Sequence, residues 1–211
     1  MAKINLSNIS HTYNPNDSNP TYALNPFSMT WENGNRYAIL GPSGCGKTTM
    51  LNIVSGLVRP SGGKILFDNR DVTNLKTESR NIAQVFQFPV IYNTMTVYDN
   101  LAFPLKCREF AKEKIEERVQ SVSQTLNLSS FLNMPARKLT ADQKQLISLG
   151  RGLVREDVAA VLMDEPLTVI DPDLKFKLRR SLKEINEQYK TTLVYVTHDQ
   201  NEAMTFADNI I

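Results

Sequence analysis

The sequence has few of the features that define secreted, membrane-spanning or nucleic-acid-binding proteins. Only two cysteines, Cys45 and Cys107, occur among 211 residues, which excludes a disulfide framework and is typical of a reducing compartment. The formal net charge is +2, so the chain lacks the charge excess that binds a polyanion such as nucleic acid. No run of about 18 apolar residues is present, and we expect no membrane-spanning segment. Any membrane role would then come through a partner.

The two ends of the chain are also uninformative about targeting. The opening segment MAKINLSNISHTYN lacks the apolar core of a signal peptide. The chain closes on ADNII, an apolar run that predicts the beginning of a strand. We therefore expect the whole protein to continue beyond Ile211.

Apolar periodicity predicts alternating strands and helices. The predicted strands are INLSNIS, FSMTW, RYAIL, GKILFD, NIAQVFQ, VAAVLMDEP and TTLVYVTH. Helical periodicity is found at 47–57, 111–127, 142–154, 173–189 and 200–206. RYAIL, VAAVLMD and TTLVYVT are continuously apolar, as buried parallel strands are. The alternation predicts an α/β sheet. The stretch 88–140 is instead helical and punctuated by proline, which indicates an inserted lobe, and 14–20 predicts a turn-rich loop.

The segment GPSGCGKTT predicts a phosphate-binding loop. It matches the pattern G-x-x-x-x-G-K-[ST], follows a predicted strand and precedes a predicted helix. Glycines allow backbone N–H groups to surround phosphate oxygens, and the helix N-terminus adds its dipole. The alternative is a glycine turn that matches the pattern by chance. Such a turn would not be expected to lie between a strand and a helix. The predicted nucleotide-binding residues are Gly41, Pro42, Ser43, Gly44, Cys45, Gly46, Lys47, Thr48 and Thr49.

Two carboxylates and a histidine follow later apolar strands. Asp164 and Glu165 end VAAVLMDEP, where one carboxylate can hold Mg²⁺ through water and the other can polarise an attacking water. Taken alone, they could equally be a surface pair after a buried strand. His198 ends TTLVYVTH, where it could hydrogen-bond a γ-phosphate, although a lone histidine is more commonly structural. Parallel strands bring these ends together, which favours the functional interpretation.

In order and spacing, these motifs resemble the nucleotide-binding subunit of an ABC transporter along essentially the whole chain. Gly41–Thr49 resembles that family's Walker A motif, and 162–165 resembles its Walker B motif with the catalytic glutamate. The resemblance implies a switch histidine at His198 and a Q-loop glutamine at Gln87 that touches Mg²⁺ and the lytic water. It also implies an aromatic ring that stacks on adenine at Tyr13 and a D-loop ending at Asp171. The implied ligands are ATP and Mg²⁺, the latter near Thr48, Gln87 and Asp164.

The resemblance also implies an architecture. It is a P-loop NTPase core of the ABC ATPase type, with an N-terminal antiparallel β region and an inserted α-helical subdomain. We expect the ATP-binding core to comprise residues 1–87 and 146–211, and the helical subdomain to comprise 88–145. Asp164 and Glu165 fit this architecture, whereas a phosphate-loop kinase would have no natural place for them.

The segment that resembles the family's signature motif departs from it. Where the family usually has LSGGQ, this sequence has Leu139, Thr140, Ala141, Asp142 and Gln143. Both glycines are replaced, and a Cβ narrows the approach of a γ-phosphate to the backbone while a carboxylate repels it. We expect an asymmetric pair with a different second ATPase subunit rather than a homodimer. The alternative is that Asp142 points to solvent and the motif works.

The resemblance is closest to importer ATPases of the carbohydrate and polyol uptake group, which includes glycerol importers. It implies membrane permease subunits that dock near 88–104, a solute-binding protein in the system, no nucleic acid, and a peripheral place on the cytoplasmic face of the membrane. The segment FPVIYNTMTVYDNLAFP is rich in aromatic and β-branched residues, which suits docking, although internal packing would also explain it. A soluble non-transport ABC ATPase and the ATPase of an exporter remain alternatives.

Overall fold

The structure is a computed structural model that describes residues 2–17 and 19–211, without the side chain of Asp173. Ser18, in the predicted turn-rich loop, and Met1 lie outside the described residues. The strands are β1 Ile4–Thr12, β2 Tyr22–Trp31, β3 Arg36–Leu40, β4 Gly62–Phe67, β5 Arg70–Asp71, β6 Ile82–Val85, β7 Ala160–Asp164, β8 Leu193–Thr197 and β9 Asn209–Ile210. The α-helices are α1 Lys47–Ser55, α2 Thr77–Arg80, α3 Val97–Lys106, α4 Lys112–Thr125, α5 Ala141–Leu153, α6 Pro172–Tyr189 and α7 Gln200–Phe206.

The strands form two sheets with different topologies. The antiparallel sheet has the order β2-β1-β4-β5, and the parallel sheet has the order β6-β7-β8-β3-β9. The three continuously apolar segments are the adjacent parallel strands β7, β8 and β3, as the sequence predicts. Their register aligns Leu40 with Thr197 and Asp164 with Val196, so the carboxyl ends of the three strands are level. The loops after these strands therefore meet at one edge of the sheet.

Successive side chains of the central strands point to opposite faces of the parallel sheet, so this sheet separates two hydrophobic cores. Met163 of β7 and Tyr195 of β8 face a core shared with α3 to α7. Leu162 of β7 and Val194 of β8 face the other core, which includes α1 and the antiparallel sheet. Burial on both faces explains why these strands are continuously apolar in sequence. It also holds the strand ends rigidly beneath the loops.

The inserted lobe contains α3, α4 and two short 3₁₀ turns, and α5 leads out of it. The Thr96 side chain caps α3 by accepting a hydrogen bond from the Asp99 N–H at 3.0 Å, and Pro104 lies in the last turn of that helix. The predicted boundary between residues 145 and 146 falls inside α5, which runs without interruption from the lobe to the core. The proposed division into domains stays a prediction, and this edge of it does not coincide with a change of element.

Candidate functional site

A cavity of about 600 Å³ opens at the carboxyl ends of β3, β7 and β8. Its walls come from the phosphate loop, from the turns after β7 and β8, and from the N-terminal antiparallel sheet. The lining residues are Tyr13, Ala23, Ser43, Gly44, Gly46, Lys47, Thr48, Thr49, Gln87, Glu165, Thr168 and His198. The structure thus brings Tyr13, Gln87, Glu165 and His198 to the loop, although they are distant from it in sequence.

The phosphate loop passes directly into α1 through a left-handed glycine. Gly46 has φ +96°, and a Cβ there would lie 2.4 Å from the carbonyl oxygen of Ala23 on β2. Only glycine fits this position, because both the backbone conformation and the close approach exclude a side chain. Gly46, which the sequence pattern requires, therefore also allows the loop to pack closely against the antiparallel sheet.

The Lys47 side chain is buried and bound to its own loop. Its ammonium donates to the carbonyl oxygens of Gly41 at 2.8 Å and Pro42 at 2.7 Å. Its Nζ also lies 3.8 Å from the Cys45 thiol sulfur. A phosphate that binds Lys47 must compete with the two carbonyl bonds, an arrangement that the sequence pattern does not reveal.

Asp164 is buried at the end of β7 beside the start of α1. Burial raises the pKa of Asp164 above its ordinary value, and the neighbouring Glu165 carboxylate adds a smaller rise. A hydrogen bond from Thr48 and the charge of Lys47 act in the opposite direction on this pKa. Asp164 does not line the cavity itself, but its contact with Thr48 places a carboxylate and a hydroxyl together. This pair is a suitable donor set for a hard divalent cation.

Within residues 2–17 and 19–211, no group of three or more His, Cys, Asp or Glu side chains could hold a metal ion. A nucleotide-bound Mg²⁺ does not need one, since it usually keeps several waters and takes one or two protein carboxylates plus phosphate oxygens. The donor set at Thr48 and Asp164 fits this kind of site.

Glu165 and His198 contact each other across the strand ends. The His198 Nδ1 atom lies 3.1 Å from the Glu165 Oε2 atom, and the Thr168 hydroxyl donates to the same oxygen at 3.2 Å. Glu165 has φ +44°, and its backbone N–H donates to the Val196 carbonyl of β8 at 3.0 Å. A non-glycine residue in this left-handed conformation is uncommon.

Tyr13 forms the wall of the cavity opposite the carboxylates. Its side chain is 65% exposed, and its hydroxyl lies 3.2 Å from the Thr49 hydroxyl. The buried His11 ring meets the Tyr13 ring edge to face, with 4.5 Å between centroids. The contact fixes an aromatic face at the entrance, where a flat base could stack on it.

The five residues of the altered signature segment and Asp171 do not line this cavity. Leu139 is buried, whereas Thr140 is exposed at the start of α5. Two lining residues were missed by the sequence analysis. Thr168 lies three residues after Glu165, where the turn after the strand could have indicated it, while Ala23 gives no sequence signal.

Comparisons with known proteins agree with this geometry. The sequence profile of the family described as ABC transporter matches residues 24–168. The sn-glycerol-3-phosphate import ATP-binding protein UgpC of Pectobacterium atrosepticum is 40% identical over all of this chain and 58% of its own length. The uncharacterized ABC transporter ATP-binding protein YcjV of Escherichia coli O157:H7 is also 40% identical, over all of this chain and 57% of its own length. The chain thus spans just over half the length of these curated relatives.

A solved structure extends the likeness to the fold. It is the dimeric post-hydrolysis state of the ATP-binding cassette MJ0796 bound to ADP and Pi, with a TM-score of 0.86. The identity is 29%, covering 99% of this chain and 93% of that one. The chain belongs to the ABC transporter family. Its fold is that of an ABC ATPase cassette, as the sequence predicts. In the part of the chain that the structure describes, no helix is both long and apolar enough to cross a membrane.

Proposed function

We propose that this chain is the ATP-binding and ATP-hydrolysing subunit of an ABC import system that takes up a carbohydrate or polyol through membrane partner subunits. The observation that carries the proposal is the 3.1 Å contact between Glu165 and His198 in the cavity that the phosphate loop lines. A base, a polar partner and a phosphate-binding loop at one place are the parts that phosphoryl transfer to water requires. The import ATPase among the relatives supports the direction of transport.

Different residues would bind the phosphates, the Mg²⁺ ion and the base of ATP. Backbone N–H groups of 41–49 would surround the phosphates, and Lys47 would exchange its bonds to Gly41 and Pro42 for phosphate oxygens. Thr48, Gln87 and Asp164 would hold Mg²⁺, which when bound neutralises phosphate charge. Tyr13 would stack on the base, since its exposed ring lies at the cavity entrance.

Glu165 is the proposed general base. Its carboxylate would orient and polarise the attacking water, and His198 would hold the carboxylate and sense the γ-phosphate. Both side chains line the cavity, and the Thr168 hydroxyl restricts the Glu165 side chain further. These two residues therefore carry the catalytic step in this proposal.

The membrane partners would dock at the segment 88–104. Phe88 is 71% exposed and Val90 is 52% exposed, so an apolar patch lies next to Gln87. Exposed apolar patches of this kind mark interaction sites. ATP-driven movement at Gln87 would reach the permease subunits through this patch. The chain would lie at the cytoplasmic face of the membrane, in a system that includes a solute-binding protein.

The partner ATPase would be a different subunit. The segment Leu139–Gln143 would face the other subunit's nucleotide, and Ala141 and Asp142 would weaken that site. The cavity described here would instead face a glycine-rich signature from the partner. The pair would then contain one active and one weak site.

The experiment is the assembly state of Glu165→Gln with ATP and Mg²⁺, measured by light scattering. Blocking hydrolysis should trap a closed pair, and Glu184→Gln, an exposed change on α6, is the matched control. ATP binding by a persistent monomer supports a different partner subunit. A homodimer would contradict the asymmetric pair but support the ATPase, and a chain that binds no ATP would refute both.

A further inference from the structure

A buried carboxylate that the catalytic proposal does not use lies four residues after His198 and bonds to the residue that precedes it. Glu202, in the first turn of α7, is only 7% exposed. Its Oε2 atom accepts hydrogen bonds from the Tyr195 hydroxyl at 2.9 Å and from the Thr197 hydroxyl at 2.8 Å. One oxygen of this carboxylate therefore links α7 to Tyr195 and Thr197 of β8, and Thr197 directly precedes His198.

The other oxygen of Glu202 faces α6. Its Oε1 atom lies 3.5 Å from the Lys175 ammonium and 3.8 Å from an Arg179 guanidinium nitrogen. A buried carboxylate without partners would be strongly unfavourable, so these two cations and two hydroxyls together allow it to be there. Burial, and then the charge of Glu202, raise the pKa of Tyr195 well above its ordinary value, so this phenol stays a proton donor.

The turn that carries His198 is held from both sides. The Thr197 hydroxyl donates to Glu202 and accepts from the Asp199 backbone N–H at 3.0 Å. The Asp199 side chain then caps α7 by accepting from the backbone N–H groups of Asn201 at 2.7 Å and Glu202 at 3.3 Å. The His198 side chain is 57% exposed, and its contact with Glu165 depends on where this turn places it.

We propose that Glu202 is a positioning residue for His198. Its carboxylate fixes the Thr197 hydroxyl and the start of α7, so the imidazole stays opposite Glu165. Its ion pairs with Lys175 and Arg179 link this arrangement to α6. The inference rests on the proposed hydrolytic role of His198. Its structural part, that Glu202 sets the place of the imidazole, does not require hydrolysis and can be tested without it.

The kinetic test compares Glu202→Gln with Glu184→Gln in the assembled transporter. The amide keeps the size of Glu202 but cannot accept at both oxygens and face two cations. We expect kcat to fall by about tenfold or more, since misplacement of a catalytic group by about 1 Å can cost up to about a hundredfold. KM for ATP should change by less than about twofold, because the phosphate loop and Tyr13 are untouched. Glu184→Gln, which affects an exposed pair with Arg180, should change neither constant.

The double variant separates positioning from general stability. If Glu202 acts through His198, adding Glu202→Gln to His198→Ala should lower kcat by less than about twofold further. Thr197→Val, which removes the connecting hydroxyl and keeps the β-branched shape, should reproduce the loss. The proposal would be overturned if the losses in kcat of the two single variants multiplied in the double variant. It would also be overturned if Glu202→Gln changed kcat and KM by the same factor.

The structural test uses the fact that the chain contains only two histidines. The ¹⁵N and ¹H signals of His198 in the 211-residue chain should shift in Glu202→Gln, while those of the buried His11 stay in place as an internal reference. Unchanged His198 signals would overturn the proposal whatever the ATPase assay gives. A wild-type chain without ATPase activity would refute the proposed function, yet the shift of the His198 signals would still decide the role of Glu202.

Discussion

Thr140 and Gln143 cap the start of α5 with two reciprocal hydrogen bonds. The Gln143 backbone N–H donates to the Thr140 hydroxyl at 3.3 Å, and the Thr140 backbone N–H donates to the Gln143 side-chain oxygen at 3.0 Å. This capping box satisfies two helix-end donors. The altered signature segment thus keeps a well-formed helix start, and Asp142 in the first turn interacts favourably with the helix dipole.

Restoring the two glycines should therefore have opposite effects on stability and activity. In Ala141→Gly with Asp142→Gly we expect a loss of about 1–2 kcal/mol in the free energy of unfolding, from helix propensity and the lost dipole interaction. ATP hydrolysis by the assembled transporter should rise, because backbone N–H groups become accessible to phosphate. Urea unfolding and a phosphate-release assay measure the two effects. Unchanged hydrolysis would remove the idea that this segment weakens a site.

Removal of the Tyr13 ring should weaken nucleotide binding without affecting hydrolysis at saturation. Tyr13→Ala should raise the Kd for ATP roughly fivefold to a hundredfold, the range for loss of one base–aromatic stack. Tyr13→Phe loses only the hydroxyl contact with Thr49 and should bind nearly as well. Tyr22→Ala, on the exposed part of β2, is the control. Titration calorimetry with a non-hydrolysable ATP analogue gives the result, and equal binding by all three variants would argue against stacking.

The substitutions Asp164→Asn and Asp157→Asn should change Tm in opposite directions. Because burial raises the pKa of Asp164, its charged form destabilises the fold at neutral pH, and Asp164→Asn should raise Tm there while abolishing hydrolysis. The gain should shrink as the pH falls toward about 4, where unfolded carboxylates also protonate. For a chain of this size, each kcal/mol corresponds to about 2–4 °C in Tm.

Asp157→Asn is the matched comparison. Burial acts to raise the pKa of Asp157, but the hydrogen bond and charge of Arg155, with the charge of Arg108, lower it overall. Its charged form therefore stabilises the fold above the ordinary carboxyl range, and the amide should lower Tm at pH 7. Because the folded pKa of Asp157 lies below its ordinary value, the difference from wild type should narrow only below about pH 4. Calorimetric scans between about pH 3 and pH 8 cover both titrations. A shift of Tm in the same direction for both variants at about pH 7 would contradict this account.

Arg80 should be a large contributor to the stability of the phosphate-loop helix. Its buried guanidinium donates to the carbonyl oxygens of Ile53 and Val54 at the end of α1, and to those of Thr73 and Leu75. Arg80→Met would leave these carbonyls buried without donors, at a cost of about 3 kcal/mol or more. Arg70→Met, at an exposed position on β5, should cost less than about 0.5 kcal/mol. Chemical unfolding measures both, and similar losses would refute this role.

Phe88 should be required for coupling rather than for ATP binding. Phe88→Ser changes an exposed side chain, so the free energy of unfolding should move by less than about 0.5 kcal/mol and ATP binding should be retained. Co-purification with the membrane subunits should be lost. Phe176→Ser, which removes a similarly exposed ring on α6, should leave assembly intact. Normal assembly of the Phe88 variant would exclude this side chain from the docking surface.

All seven strands and all five helices that the sequence predicts are present, and the least ambiguous patterns belong to elements whose burial is complete or periodic. β3, β7 and β8 are buried on both faces, and α4 to α7 show regular apolar stripes, so their patterns are unambiguous. The predicted final strand is confirmed as β9, which pairs with β3. The short elements β5 and α2 were missed, because they are too brief for periodicity to register. The bounds of α3 were not predicted, since Pro104 and β-branched residues obscure its helical pattern.

The features of the site likewise fall into those that the sequence predicts and those that only the structure reveals. The loop and the strand-end side chains follow from sequence because parallel strands must align their carboxyl ends. The bonds of Lys47 to its own loop, the left-handed backbone of Glu165 and the partners of Glu202 depend on how separate elements converge. For Glu202 these elements are β8, α6 and α7, whose mutual distances no local pattern encodes. The sequence analysis accordingly treated 200–206 as an ordinary helix.

The order β7-β8-β3 has a consequence for the dimensions of the cavity. Since β8 lies between the other two strands, the phosphate loop and the Glu165 turn are separated by two inter-strand spacings, roughly 10 Å. Backbone hydrogen bonding fixes that spacing, so it cannot narrow or widen without breaking the sheet. The width available for a nucleotide's terminal phosphate and its water is thus set by a single peptide strand, and His198 directly follows that strand.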